Sequence, residues 1–511
     1  MPQANNAEAK GAMPVPEDFG AKADGVTDDT AAFSKMFKLG GNISLTPGKT
    51  YFLSGIGVQF YSNTNFYASG AKMIVASGEP NIDRTYGFII DDSQSNILME
   101  GMDISSPRDK EGELIDGTLP KQQDGFKCSN SHHLSIYQDV HNVVVRNYRS
   151  DGANGAIVFR AHATEKPTPR SNLLFENLWF TNQSMPISGG HGANGLTFNN
   201  VYIECADTTR KYHAVYLRTN MKGIRFNNFY IKQPKEVGQP FSIYTINKSA
   251  ESCTVPVYLS NGEVHAGSLL TTSNPYEAHL DNVRLVNDNP EDFANGTCVT
   301  HYEQSFGYYN NCQFINCFQV RNGEFNNCYF KLKTDKAAWF VYGLGVATPP
   351  ANIPAVSAER TDAEWYDIAN KIERLVLNGC HIDMRHGDNF IYLFQGGNAE
   401  SPYPFHIDIK NCLIEDTAGE SDKSFGYIVT QQNAKPIWQK HIINITDCDF
   451  NCKFNYDVFK SVAAQTGTVD LTVKRCSFNS NKNADIFFTA ADANSKVNKR
   501  YIYCDLNNEI I

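Results

Sequence analysis

Along the chain, short runs of alternating apolar and polar residues recur, each broken by a polar corner and then resumed. Asn142-Val-Val-Val-Arg-Asn147-Tyr148 and Leu173-Leu-Phe-Glu-Asn177-Leu-Trp-Phe180 are two such runs. Gly195-Leu-Thr-Phe-Asn-Asn200-Val-Tyr-Ile203 and Gly223-Ile-Arg-Phe-Asn-Asn228-Phe-Tyr-Ile231 resemble each other more closely still. Alternation of period two predicts strands rather than helices. The residue after the corner falls at Tyr148, Leu178, Val201 and Phe229, in steps of 30, 23 and 28 residues. The column resumes at Val283, Cys312, Cys328, Cys380, Cys412, Cys448 and Cys476. A repeat of this length marks a solenoid. Two apolar strands meeting at a polar corner, coil after coil, predict an all-β fold: a single parallel β-helix. The 16-residue step from Cys312 to Cys328 is short for a coil and strains the register there.

The columns carry structural meaning. Six cysteines in one inward position read as stacked buried thiols, because a free cysteine behaves as a small hydrophobe. The corner asparagines would stack likewise, each amide bonding the next coil. The chain divides into a flexible arm (1–13), an N-terminal cap (14–40), the β-helix (41–480) and a C-terminal cap (481–511). Residues 28–39 form an acidic-started amphipathic helix, suited to covering the open edge of the first coil. Residues 334–372 interrupt the repeat. There Thr361-Asp-Ala-Glu364 is a capping box leading Trp365, Ile368 and Ile372, which predicts a loop insertion with one short helix.

Composition narrows the partners. A chain of 511 residues with 41% hydrophobic content would ordinarily form several domains, but repeats bury their core against their neighbours. A net charge of −10 without Lys/Arg runs argues against nucleic acid. No window approaches the roughly 20 apolar residues of a membrane span. Met1 to Lys10 is polar and lacks the apolar core of a secretory signal. Thirteen cysteines is an odd number, without a CxxC pair, so neither a zinc site nor a compact disulfide framework is expected. No metal or other cofactor is expected.

The stretch Asp18-Phe-Gly-Ala-Lys-Ala-Asp24-Gly-Val-Thr-Asp28-Asp29-Thr-Ala-Ala-Phe33 resembles the opening motif of the pectate-lyase-like superfamily, which includes polygalacturonases, lyases and bacteriophage tailspike depolymerases. The resemblance, motif plus repeat, covers roughly residues 14–480. It implies a right-handed β-helix, commonly carbohydrate-active, and for tailspikes a homotrimer. Reduced cysteines and the polar start favour a virion (phage tail) protein over a secreted bacterial pectinase. A weaker likeness is to polygalacturonases. Gln122-Gln-Asp124-Gly-Phe126 sits where that family has Asn-Thr-Asp-Gly, and Ser188-Gly-Gly-His191-Gly192 resembles its Gly-His-Gly. Ala214-Val-Tyr-Leu-Arg218-Thr219 resembles its Arg-Ile-Lys-Thr segment, with Tyr216 replacing the arginine. The family's paired aspartates are absent, and Asp151-Gly-Ala-Asn154 occupies that coil.

Stacking the strands that precede the corners predicts an inward column of Phe126, Ile157, Ile187, Val215 and Phe241. The alternate positions, Lys127, Arg160, Ser188, Gly190, Tyr216, Arg218, Ser242 and Tyr244, then make an outward cationic and aromatic face. Such a face suits sugar rings and a uronate or sulfate. Lys127, Arg160, Tyr216, Arg218 and Tyr244 are the candidate substrate-binding residues. Four residues beyond their corners, Asp151 and Glu204 share a column two coils apart, a separation of roughly 9–10 Å at the strand spacing. That is near the upper limit for inverting glycoside hydrolysis and too wide for retaining chemistry. They are the candidate catalytic pair, with Asp124 as the alternative partner and His191 to orient an acid or touch sugar. Three functions follow as alternatives: a depolymerase hydrolysing bacterial capsular or other surface polysaccharide, a lyase acting by β-elimination, and a non-catalytic sugar-binding spike. The products separate them.

Overall fold

A corner in every coil requires a residue that tolerates the left-handed conformation, which asparagine does better than most. Every corner expected from the sequence adopts it: Asn147, Asn177, Asn200, Asn228, Asn282, Asn311, Asn327, Gly379, Asn411, Asp447 and Arg475 all have φ between 50° and 65°. The asparagines form the expected ladder. Asn177 donates to Asn147 at 2.9 Å, Asn200 to Asn177 at 2.8 Å and Asn228 to Asn200 at 2.7 Å. Where the corner changes to Asp447 and Arg475, an ion pair replaces the amide bond. A second ladder runs beside the first, from Asn172 through Asn142 and Asn96 to Asn63.

The computed structural model describes residues 13–76, 85–108, 131–160, 169–190, 192–205, 213–218, 221–233 and 241–244. Beyond these it describes 255–266, 269–273, 276–288, 299–302, 306–317, 320, 323–332, 339–344, 374–384, 389–394, 406–415, 427–428, 440–451, 460–461, 468–478, 489–490, 496–506 and 509–510. The chain divides into two units, residues 1–242 and 243–511. Each is a stack of parallel coils.

In the first unit the bent strands His141–Asp151, Arg170–Gln183, Ala193–Cys205 and Met221–Lys232 carry the corner and pair in parallel. The straight strands Ile56–Phe60, Thr85–Ile90, Ser131–Ile136, Gly155–Phe159, Ile187–Gly190 and Val215–Arg218 form a second parallel sheet. In the second unit Val255–His265 pairs with Tyr276–Val286. From Arg374–Asn378 the parallel pairing continues through His406–Lys410, Lys440–Thr446 and Thr468–Lys474 to Lys496–Ile502. Parallel crossovers of L-residues take the right-handed sense, so each unit is built as a right-handed parallel β-helix.

Inward side chains stack in columns, Phe175 on Phe198 at 4.7 Å and Phe198 on Phe226 at 4.4 Å. Each fully buried ring contributes on the order of 1.5–3 kcal/mol. The cysteine column is buried from Cys312 to Cys476 and gains a further member, Cys504. That residue escaped the sequence pattern because its corner is Tyr503, whose φ is 52°. The thiols bond backbone carbonyls, as Cys380 does to Phe325 at 3.3 Å. Hydrogen bonding between adjacent thiols, with burial adding to it, pushes Cys412 and Cys448 up to about 12.

The opening motif is turn chemistry. Asp24 accepts from the Val26 and Thr27 amides and the Thr27 hydroxyl. Asp28 accepts from the amide of Thr30 at 3.0 Å, and the buried Asp29 carboxylate takes the amides of Lys22 and Ala23. The helix that follows spans Thr30–Phe37, inside the expected 28–39. Its buried face packs Phe37 on Phe60 at 4.4 Å and Phe33 on Tyr51 at 5.2 Å.

Four details differ from the pattern. The short step from Cys312 to Cys328 is a genuine coil, since Gln313 pairs with Tyr329 and Tyr309 with Phe325. In the straight sheet, Leu134 holds the place beside Ile157 that the sequence pattern gave to Phe126. Ser131–Ile136 is buried on both faces and carries two histidines, so it shows no alternation to read. The coil also runs past residue 480, with Asp505 and Leu506 still paired in parallel to Ser477 and Phe478. Residues 345–373, which hold the capping box and most of the expected insertion, lie outside the described residues.

Candidate functional site

The groove of the first unit follows from the corners. The left-handed asparagines bend each strand, and beyond the bend the alternation continues: one residue in, the next out. The second position after the corner therefore points outward in every coil. In register it holds Asp103, Arg149, Trp179, Tyr202 and Tyr230. The fourth holds Ser105, Asp151, Thr181, Glu204 and Lys232. The two columns share one face. A shallow, open groove of about 550 Å³ lies at the second-position column, lined by Asn147, Asn177, Asn200 and Asn228 and by Arg149, Trp179, Tyr202 and Tyr230; Asp151 and Glu204 are not among its lining residues.

The aromatic wall is a ladder. Trp179 stacks on Tyr202 with centroids 3.9 Å apart, and Tyr202 on Tyr230 at 5.2 Å. Stacking along the coil axis covers most ring faces, and the Tyr202 hydroxyl turns to Glu204. Trp179 nevertheless remains 49% exposed. Sequence reasoning sought aromatic residues before the corners and missed this column. Its signal was present in Leu178-Trp-Phe180, Val201-Tyr-Ile203 and Phe229-Tyr-Ile231, where a ring recurs at the second position after the corner.

The carboxylates are engaged. Asp151 meets Arg108 at 2.5 Å and accepts from Thr181 and Asn182, both at 2.7 Å. Burial alone would raise its pKa, but the hydrogen bonds from Arg108, Asn182 and Thr181 and the Arg108 charge outweigh it and hold the carboxyl below its ordinary value. Glu204 pairs with Lys232 at 3.2 Å and accepts from the Tyr202 hydroxyl at 3.0 Å. The column register sets Asp151 and Glu204 two coils apart with Thr181 between.

Behind Asp151 lies a buried polar layer. His133 is fully buried, with Nδ1 2.7 Å from the Ser150 hydroxyl and Nε2 3.4 Å from Ser106. Gln183 donates to the Ser150 hydroxyl at 2.6 Å. Burial pushes His133 down to about 3, against the opposing pull of Asp151. The ring is therefore neutral in the fold, and folding stability tied to it is complete above the unfolded value near 6.5 and lost as pH falls toward 3. Lowering the pH from 7 to 4 should cost about 3 kcal/mol through this ring. Denaturant titrations at both pH values should show that loss in the wild type and a smaller one in His133→Asn. Equal losses would remove His133 as the cause.

The remaining candidates are placed as follows. Arg160 follows the straight strand Gly155–Phe159, donates to the Tyr86 hydroxyl and lies over that ring at 5.0 Å. Tyr216, half-buried, stacks on His213 at 5.1 Å. Ser188 pairs in register with Tyr216, and Gly190 with Arg218. Arg218 and Tyr244 are located in their strands by backbone alone. Asp124, Lys127 and His191 lie outside the described residues. Asp151 closes a bent strand, whereas Arg160 follows the far end of the next, straight strand, Gly155–Phe159. The carboxylate pair is thus brought to the aromatic ladder, and Arg160 and Tyr216 belong to the straight sheet. Among the described residues no cluster of three His, Cys, Asp or Glu side chains is arranged to hold a metal.

No protein-family profile matches the chain. The preneck appendage proteins of Bacillus phages PZA and phi29 are each 24% identical to it over 185 residues, 35% of this chain and 20% of theirs. The chain thus spans about a fifth of the length of these relatives. Among solved structures, an N-terminal fragment of gene product 12 of bacteriophage phi29 aligns with a TM-score of 0.47 and 13% identity, over 91% of this chain and 84% of that one. The tailspike of E. coli bacteriophage HK620, solved with a hexasaccharide, aligns with a TM-score of 0.45 and 9% identity, over 97% and 78%.

Proposed function

We propose that the chain is part of a phage tail protein of the tailspike depolymerase type, which binds a bacterial surface polysaccharide along the corner groove and cleaves it by glycoside hydrolysis. The observation that carries this reading is the pairing of columns on one outward face, an aromatic ladder beside two carboxylate residues two coils apart, whose strands lie about 9–10 Å from each other. The phage appendage relatives support a place in the virion, and the tailspike resemblance supports a homotrimer.

In this mechanism Asp151, kept ionised by Arg108, activates water as the general base. Glu204 protonates the leaving oxygen. Its carboxylate pairs with Lys232 and accepts from the Tyr202 hydroxyl, so a bound polymer must displace Lys232 to bring its leaving oxygen to Glu204. That same ion pairing favours a second reading, in which the groove adheres to the polysaccharide without cutting it.

The test is incubation of the purified chain with a panel of bacterial surface polysaccharides, followed by sizing and end-group analysis. Hydrolysis yields shorter chains with new saturated reducing ends. Unsaturated, ultraviolet-absorbing ends would replace hydrolysis by β-elimination, and retention of polymer without shortening would leave the binding reading.

A further inference from the structure

Several cations on the outer face of the bent strands are ion-paired. Arg146 pairs with Glu100 at 2.5 Å, Arg108 with Asp151, and Lys232 with Glu204. Arg149 is exposed, lines the groove and makes no ion pair among the described residues. Asp103 occupies the rung before it without closing a salt bridge. An arginine left with its donor fork open to solvent at a cavity is suited to an anion, which it binds through two parallel hydrogen bonds.

The neighbouring rung completes the argument. One face of the Trp179 ring is covered by Tyr202, the planes only 12° from parallel. The ladder ends there, so the other face turns toward the rung of Arg149, with which Trp179 is in register. Among the described residues no other ring or cation is stacked on Trp179, which is half exposed. A pyranose resting on it would bring its ring substituents to the guanidinium one rung away, about 4.8 Å along the axis. Stacking alone accepts any sugar; an adjacent cation selects an acidic one.

We infer that Trp179 and Arg149 form a subsite for an anionic sugar unit, the ring stacked on Trp179 and its carboxylate or phosphate held by Arg149. The inference rests on the polysaccharide-binding reading and adds that the polymer carries negative charge. It also fixes direction: the acidic unit lies at the N-terminal end of the ladder, and the polymer continues over Tyr202 and Tyr230 past Glu204.

The experiment uses the full chain labelled with 5-fluorotryptophan, the Trp179 fluorine resonance being identified by its loss in Trp179→Phe. The probes are glucuronate and galacturonate, glucose 6-phosphate, and the neutral sugars glucose and galactose. At least one acidic class should shift the resonance at about tenfold lower concentration than the neutral sugars. The class that does so says whether carboxylate or phosphate is preferred. Arg149→Met should erase the difference while leaving weak stacking, and Arg149→Lys should retain part of it. Equal response to neutral and acidic sugars, no response to any, or an acid preference that survives Arg149→Met would overturn the subsite. Polymer shortening is scored in parallel. Cleavage that is indifferent to Arg149 removes the subsite and keeps the depolymerase; acid binding without cleavage does the reverse.

Discussion

Replacing Arg170 by alanine should destabilise the first unit by about 3–5 kcal/mol, the largest effect expected from any single substitution in that unit. The side chain is fully buried and its guanidinium reaches carbonyls in three successive coils. It donates to Ile136 at 3.0 Å, to Gly190 at 3.2 Å and to Gly192 at 3.0 Å, and also to the carbonyl of Arg160. Phe159 lies beneath it, 5.6 Å from ring centroid to guanidinium carbon. Burial pulls its pKa down to about 9, so the group stays charged at neutral pH. Alanine would remove the side-chain hydrogen bonds to four carbonyls and leave a void; Ile136 and Gly192 keep backbone donors in the amides of Arg160 and Arg170, and any acceptor left stranded costs about 1–3 kcal/mol before the coils relax. Arg170→Lys keeps the charge but cannot span the same carbonyls, and should fall between. Urea unfolding followed by tryptophan fluorescence measures this. A midpoint for Arg170→Ala matching the wild type would refute the clamp.

The second large effect is chemical. Asp151→Asn and Glu204→Gln should each lower the rate of polysaccharide cleavage by about a hundredfold or more, while the protein stays folded. Both residues lie outside the apolar columns, and the amides preserve their shape. Asp151→Asn keeps acceptors for Thr181 and Asn182 but cannot take a proton from water. Glu204→Gln can still bond Tyr202 and Lys232 but has no proton to give. Asp124→Asn belongs in the same assay. If the first two variants cleave at full rate and the third is inactive, the catalytic pair is misassigned and Asp124 is the better anchor.

The fold was legible because its determinants are local and repeated. Asparagine at Asn147, Asn177, Asn200 and Asn228 marks a left-handed corner, and period-two alternation around it fixes which residues point inward. The coincidence of Asp151 and Glu204 in one column followed from counting outward from those corners, as did the stacked cysteines. The pattern failed where a coil broke its own rule. Tyr503 stands at a corner that elsewhere holds asparagine, glycine, aspartate or arginine, and Ser131–Ile136 is buried on both faces. The groove was harder to see than the coils. Whether an outward ring lies on an open surface or in a cavity depends on the curvature that the corner imposes, which alternation does not encode. The ladder of Trp179, Tyr202 and Tyr230 was visible as three rings at one position, yet it acquires meaning only beside the bend. Arg170 was illegible for another reason: nothing local distinguishes an arginine that turns inward to clamp three coils from one that faces solvent.

The most direct test of the central claim is a crystal structure of the Glu204→Gln chain soaked with an oligosaccharide of the polymer that the wild type shortens. The account predicts sugar density along the corner groove, crossing Trp179, Tyr202 and Tyr230, with a glycosidic oxygen between the side chains at positions 151 and 204. Sugar bound instead over the straight strands Gly155–Phe159, Ile187–Gly190 and Val215–Arg218, with the corner groove empty, would contradict it.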